Sequence, residues 1–237
     1  MIPNRIHLSK DHDVLSVQVT SETELPRAVQ ALELTAPAPV LVLVGGAGGV
    51  DDHSASLINK ITDYISQVVA ETQTIIVDGG TQSGVMASMG QSRTKGEYQF
   101  PLVGVAVDKL VSIQGGKRTL MSFLQRGNRA PLDPYHTHFI LVPGANWGDE
   151  SIWISQVATV LSRDYPSVTV LINGGEISRE DVMNSLDAGR PVIVMGGTGR
   201  LADELANNPP PSPLVRIIQG ENKKSVQTII HEILSSQ

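Results

Sequence analysis

Cysteine is absent from the 237-residue chain. That single fact removes disulfides, thiol nucleophiles and Cys-ligated zinc together. A basic excess is missing too: the formal net charge is −6, the wrong sign for a protein whose main partner is a nucleic-acid backbone. The basic runs are only pairs, Lys117-Arg118 and Lys223-Lys224. No stretch approaches the ~18 apolar residues of a membrane span, and the N-terminal MIPNRIHLSKDHDVL lacks the apolar core of a signal peptide. Neither G-x-x-x-x-G-K-[ST] nor G-x-G-x-x-G occurs, which argues against a P-loop NTPase and an ordinary NAD oxidoreductase. What remains is a chain expected to be soluble and cytoplasmic, with no nucleic-acid or membrane partner.

A hydrophobic content of 41% is ample for a packed core, and one pattern organises it. Pro191–Ala206, PVIVMGGTGRLADELA, reads as a short apolar strand, a Gly turn, a basic residue and an amphipathic helix start. A strand that ends in glycines at a helix N-terminus offers backbone N–H groups to an anion, and Arg200 can add a guanidinium fork. The pattern recurs. Val40–Val44 runs into Gly45, Gly46, Gly48 and Gly49; Thr74–Val77 into Asp78, Gly79, Gly80, Thr81 and Gly84; Phe139–Val142 into Pro143, Gly144 and Gly148; Val168–Ile172 into Asn173, Gly174 and Gly175. Strands alternate with helical stretches from about residue 40 onward, the βαβ signature of a parallel sheet. In such a sheet all strand C-termini share one edge, so these turns should crowd there.

The expected fold is therefore α/β: a Rossmann-like, doubly wound, mostly parallel sheet in a three-layer α/β/α arrangement. Residues 1–237 read as a single domain, with 1–38 as a strand–helix extension packed on it. Helices are expected over about 54–71, after Gly80 with Val85, Met86 and Met89 inward, over 151–161, and over 177–188 with Ser178 opening it and Glu180 and Asp181 near its positive end. Residues 108–137 show no clear periodicity and read either as a lid or binding loop or as a disordered stretch. His136 and His138 alternate along an expected strand and read as buried or hydrogen-bonded structural residues. Trp153 has core spacing, whereas Trp147 sits on a Gly loop and is the tryptophan expected to be functional. Asp78 is expected to cap backbone amides. Asp203 reads either as a helix N-terminal carboxylate or as a ribose-binding or catalytic group.

The series VLVGGAGGV, IIVDGGTQSGVM, HTHFILV, LINGGE and VIVMGGTGRLADELA resembles the LSDAT domain. This SLOG-superfamily module stands at the cytosolic N-terminus of TRPM ion channels and as free-standing prokaryotic proteins. The resemblance spans about residues 40–206. It implies a nucleotide-like ligand, of the ADP-ribose type in the channel relatives. GGTQSGVM is similar to the family's Gly-Gly-x-x-x-Gly-Val-Met turn and sets Ser83 and Gly84 near phosphates. GTGRLAD is similar to its Gly-x-Gly-Arg-x-Ala-Asp run and sets Arg200 on a ligand-contacting basic position. Trp147-Gly148-x-Glu150 looks like its aromatic-Gly-x-Glu turn. The chain departs from the pattern at Ile154, where ADP-ribose-binding relatives carry an Arg, and at Asn173, where the family has a Glu. The wider superfamily includes phosphoribohydrolases, whose Pro-Gly-Gly-x-Gly-Thr-x-x-Glu signature MGGTGRLAD meets only in part.

Together these readings give a nucleotide or nucleotide-sugar binding protein, a sensor or accessory module needing no further cofactor. The expected contacts are Gly45, Gly46, Ala47, Gly79, Gly80, Thr81, Ser83, Gly84, Trp147, Asn173, Gly174, Gly175, Gly196, Gly197, Thr198, Gly199 and Arg200, with no metal. Two alternatives stand beside it: a hydrolase of a nucleotide N-glycosidic bond using Asp203 or Glu150, and a non-catalytic assembly subunit. A homo-oligomer is open in each case.

Overall fold

The computed structural model describes residues 1–9, 12–46, 52–112 and 129–236. Its centre is a sheet of nine strands: β1 (Asn4–Ser9), β2 (His12–Gln18), β3 (Val40–Gly45), β4 (Ile75–Asp78), β5 (Leu102–Val107), β8 (His138–Val142), β9 (Ser167–Ile172), β10 (Val192–Gly196) and β11 (Val215–Gln219). Two short strands, β6 (Val111–Ser112) and β7 (Ala130–Pro131), pair separately. The spatial order is β1-β2-β8-β5-β4-β3-β9-β10-β11. All pairings in the large sheet are parallel except β1 with β2. From β3 the chain builds outward through β4, β5 and β8, then returns to lay β9, β10 and β11 on β3's other side. The expected doubly wound α/β sheet is what forms, with its switch point between β3 and β9.

The strands are apolar on both faces because helices cover both. Val40, Val42 and Val44 point to one layer, with α1 (Leu25–Ala31), α4 (Ser151–Ser162), α5 (Glu176–Asp187) and α6 (Arg200–Asn207). Leu41 and Leu43 point to the other, with α2 (Asp52–Glu71), α3 (Gly84–Lys95) and α7 (Lys223–Leu234). Helix α2 buries Leu57, Ile58, Ile61, Ile65, Val68 and Val69, the i, i+3/i+4 stripe its sequence carries. Its seam with α3 is partly polar: Thr62 Oγ1 lies 2.8 Å from Ser88 Oγ, and Ser92 Oγ donates to Asp63 Oδ1 at 2.7 Å and lies 3.0 Å from Ser66 Oγ. Small hydroxyl side chains meet there with their hydrogen bonds made.

Three expectations need revision. The N-terminal segment is more than a strand and a helix: β1 precedes β2 as an antiparallel ribbon, and β2 joins the main sheet beside β8. The alternation of Ile6 and Leu8, both buried with Val14 against Phe139, is the signal for it. Met86 does not point inward with Val85 and Met89; it is only half-buried, because α3 turns that side to open space at the strand ends. His136 is not in a strand with His138; it sits in the turn before β8.

That turn holds a charged cluster with no exposure. His136 Nε2 is 2.8 Å from Asp78 Oδ1, and its Nδ1 is 2.9 Å from Asp133 Oδ2. Asp78 Oδ1 also accepts from Gly80 N at 2.7 Å, and Gly80 O accepts from Asp133 N at 2.9 Å. Burial by itself pushes the imidazole pKa down, but the two carboxylates outweigh it and raise the value to about 9. The proton bound in the fold therefore stabilises it fully below pH ~6.5, the unfolded value, and that gain is lost as pH rises through about 9. Urea denaturation should accordingly show lower stability at pH 9.5 than at pH 6.5, and His136→Ala should cost ~3–5 kcal/mol at the lower pH by stranding the carboxylates.

Candidate functional site

At the C-terminal rim of the sheet, over the switch point, lies a cleft of about 570 Å³. The β3 turn contributes Gly45 and Gly46, and the β4 turn contributes Gly79, Thr81 and Ser83. Trp147 and Glu150 come from the β8–α4 turn, Gly175 from the β9–α5 turn, and Arg200 from the start of α6. Five strand ends thus supply one cavity, as the sheet's parallel order requires.

Arg200 is held against glycine backbone. A Cβ placed on Gly175 would stand 2.6 Å from Arg200 Nη2, and one on Gly46 would stand 3.4 Å from Nη1. The guanidinium occupies room that only glycines leave. Arg200 itself has φ +49, and Gly199 before it has φ +93. A non-glycine in the left-handed region costs about 1–3 kcal/mol and is typical of functional turns. On the β4 side, Thr81 Oγ1 and Ser83 Oγ lie 3.0 Å apart, a hydroxyl pair facing the same cavity as the guanidinium.

Other expected contacts hold the turns rather than line the cleft. Asn173 is fully buried, with Nδ2 donating to Thr198 O at 2.8 Å and Oδ1 accepting from Gly174 N at 2.8 Å. Thr198 Oγ1 accepts from Asn173 N and donates to Met195 O. These two residues clamp the β9 and β10 turns together. The clamp also alters the expected helix-end anion site. Ala202 N donates to Asn173 O at 3.0 Å, Leu201 N to Gly174 O at 3.5 Å, and Gly197 N to Asp203 Oδ1 at 2.6 Å. Several amides that seemed available at the start of α6 are therefore used internally. Asp203 is a turn-bracing carboxylate and does not line the cleft. Gly80, with φ +66, is packed so that a Cβ would meet Gly104 Cα at 2.8 Å. Gly84, Gly174, Gly196, Gly197 and Gly199 likewise lie off the cavity wall, and Ala47 lies outside the described residues. So does 113–128, the middle of the unreadable stretch; its flank Ala130 reaches the cleft, and Leu132 bridges to Thr81.

The wall also contains residues that the sequence reading did not select: Met86, Ile154, Glu176, Ile177, Ser178 and Asp181. Asp181 was expected near the helix's positive end. Helix α5 begins at Glu176, so Asp181 lies in its second turn, past the first-turn amides that stabilise a charge. Burial raises its pKa to about 7, helped by the charges of Glu150 and Glu180 and opposed by the nearby Ser151 hydroxyl. Burial also raises Glu150 above the ordinary carboxylate value, although Gly148 N donates to its Oε2 at 2.9 Å. The hint at Asp181 was a second-turn carboxylate at the helical spacing of the buried positions Ser178, Val182 and Ser185. Trp153, by contrast, is core as its spacing implied, and Trp147 is half-buried at the cleft. Among the described residues no group of three or more His, Cys, Asp or Glu is arranged to hold a metal ion.

Residues 38–232 match the family model described as "SLOG in TRPM, prokaryote". The chain belongs to that family. Among curated proteins, this SLOG chain is 26% identical to mouse transient receptor potential cation channel subfamily M member 2 over 196 residues, covering 70% of the chain and 13% of the channel. The rat channel of the same name is 24% identical over the same length and shares. The SLOG chain therefore matches only a small part of those relatives. Among solved structures, the structural-genomics target TM1055 superposes with a TM-score of 0.57 at 20% identity, covering 82% of this chain and 99% of the other. The molybdenum cofactor carrier protein MCP from Chlamydomonas reinhardtii gives 0.56 at 14%, covering 84% and 99%. Both likenesses are of fold. Among the described residues, no helix of this SLOG chain is long and apolar enough to cross a membrane.

The two kinds of glycine predict different outcomes. Gly80→Ala drives a Cβ into backbone at a positive φ and should destabilise the protein by at least ~1–2 kcal/mol. Gly175→Ala meets only the end of a flexible side chain, so it should leave the melting temperature nearly unchanged while displacing Arg200. Thermal denaturation of the two variants checks the contrast.

Proposed function

We propose that this SLOG chain is a nucleotide or nucleotide-sugar binding module of the cytoplasm, acting as a sensor or accessory protein. The observation that carries the reading is the switch-point cleft with a guanidinium seated on glycine backbone. A planar fork of N–H donors held in this way suits bidentate contact with phosphate, and Thr81 and Ser83 add hydroxyl donors. The cleft's volume and its mix of apolar walls with few polar groups suit a small-molecule site. An ADP-ribose-type ligand is the first candidate, through the family and its channel members.

A second reading keeps one specific support. Glu150 lines the cleft with a raised pKa, a property useful to a general acid in glycosidic cleavage. Asp203, the other carboxylate considered for that role, is occupied with Gly197. Incubation with AMP while monitoring released adenine separates the readings, and release that survives Glu150→Gln removes Glu150 from the role.

Calorimetry with ADP-ribose, NAD, AMP and cyclic nucleotides tests the main proposal. At least one should bind, and Arg200→Ala should weaken it about ten- to a hundredfold, the loss of one charge-assisted contact. Failure of all four to bind overturns the proposal.

A further inference from the structure

Asp181 stands without a structural reason for its charge. It is 9% exposed and its Oδ1 is buried without a hydrogen-bond partner, while the neighbouring Ser151 hydroxyl is the group that favours its charged form. The charged groups that act on it are Glu150 and Glu180, both acidic. Arg179, the cation on the same helix, reaches Glu204 at 2.8 Å and Glu176 at 3.7 Å. A buried carboxyl with no cation and an orphan oxygen destabilises a fold. Costs of this kind concentrate where a site uses the group.

The place of the pair sets what it can use. Asp181 and Glu150 lie on α5 and at the start of α4, two helices that pack against each other, and both line the cleft that Arg200 lines. The cavity wall therefore carries both signs: the Arg200 guanidinium, the buried carboxyls of Glu150 and Asp181, and the exposed carboxyl of Glu176, which lies 3.7 Å from Arg179. A phosphate is repelled from the carboxyls and drawn to the fork. The carboxyl end needs a neutral group rich in O–H donors. Adjacent hydroxyls on a sugar ring supply two donors a short distance apart, and carboxylate oxygens accept both with lone pairs to spare. A carboxyl titrating near neutrality also suits hydroxyls, which donate to the anion and accept from the acid; a fixed cation would favour the anion alone.

We propose that Asp181 and Glu150 form a sugar subsite for the vicinal hydroxyls of a ribose ring, so that the ligand is a ribonucleotide anchored by phosphate at Arg200 and by its diol at the two carboxyls. The proposal rests on the nucleotide reading above and specifies it. Ile154, Ile177 and Trp147 contribute apolar surface to the same cleft.

The test is calorimetry of the full chain with three probes: AMP, 2′,3′-dideoxy-AMP and inorganic pyrophosphate. AMP should bind at least about tenfold more tightly than the dideoxy compound, one strong hydrogen bond's worth. Asp181→Leu should erase that preference and leave pyrophosphate binding as it was. Asp181→Asn, which keeps the shape and one acceptor, should retain part of it. Both variants should melt at or above the parent temperature, since each removes a desolvated acid. Equal affinity for AMP and dideoxy-AMP overturns the subsite while leaving an anion site that binds pyrophosphate. Equal weakening of AMP and pyrophosphate by Asp181→Leu overturns it as well, by showing a structural role. An AMP affinity that vanishes with EDTA and no longer depends on magnesium in Asp181→Leu assigns the carboxyls to a metal and refutes the diol. If neither AMP nor pyrophosphate binds the parent protein, the nucleotide reading falls first and the subsite with it.

Discussion

Everything at the strand ends depends on the backbone contact between β3 and β9. At the top of that pair, a Cβ on Gly45 would stand 2.2 Å from the Ile172 carbonyl oxygen. The chain reverses its direction of sheet growth between these two strands, so the turns that follow them diverge and leave a crevice. A side chain at Gly45 would collide with the Ile172 backbone and with the Val85 side chain. The absent Cβ keeps β3 and β9 close enough for the later turns to face one another across it.

Two different devices then fix the walls. On the β4 side, a buried Asp–His–Asp cluster grips the Gly79–Gly80 turn through backbone hydrogen bonds in both directions. On the β9 and β10 side, the neutral amide of Asn173 ties one turn to the other through Thr198. Neither cluster lines the cleft. They set the positions of Thr81, Ser83, Gly175 and Arg200, which do. Rigid turns of this sort lower the ordering cost of binding.

The architecture was legible because its signal is repeated: several short apolar runs, each ending in glycines and followed by an amphipathic stretch, admit few other folds. Arg200 was legible for a related reason, as a lone basic residue at the end of such a turn. The division of labour among the glycines was not. Gly80 and Gly175 look alike in the sequence, yet one packs on backbone and the other makes room for a guanidinium; only the register of β4 against β5 and of β9 against β10 decides. The place of Asn173 was not legible, because a polar residue in a Gly turn can face either a ligand or a neighbouring turn, and its partner Thr198 is far away in the chain. Asp181 was read as a carboxylate near the helix's positive end and not as a cleft residue, because the periodicity that marks a helix's buried face does not say whether that face meets the core or a cavity. The β1 strand escaped because its alternation is short and lies outside the repeated pattern.

The ribbon of β1 and β2 has a further effect on how the molecule meets its own kind. By covering β8, it moves one border of the main sheet out to β1, while β11 forms the other. Unpaired strand borders are where sheets recruit another chain; β1 lies five strands from β3, and β11 lies two from β9. Lateral addition of another copy at either border would extend the sheet in its own plane and leave the mouth of the cleft open to solvent. Assembly by that route and ligand entry do not compete for the same surface.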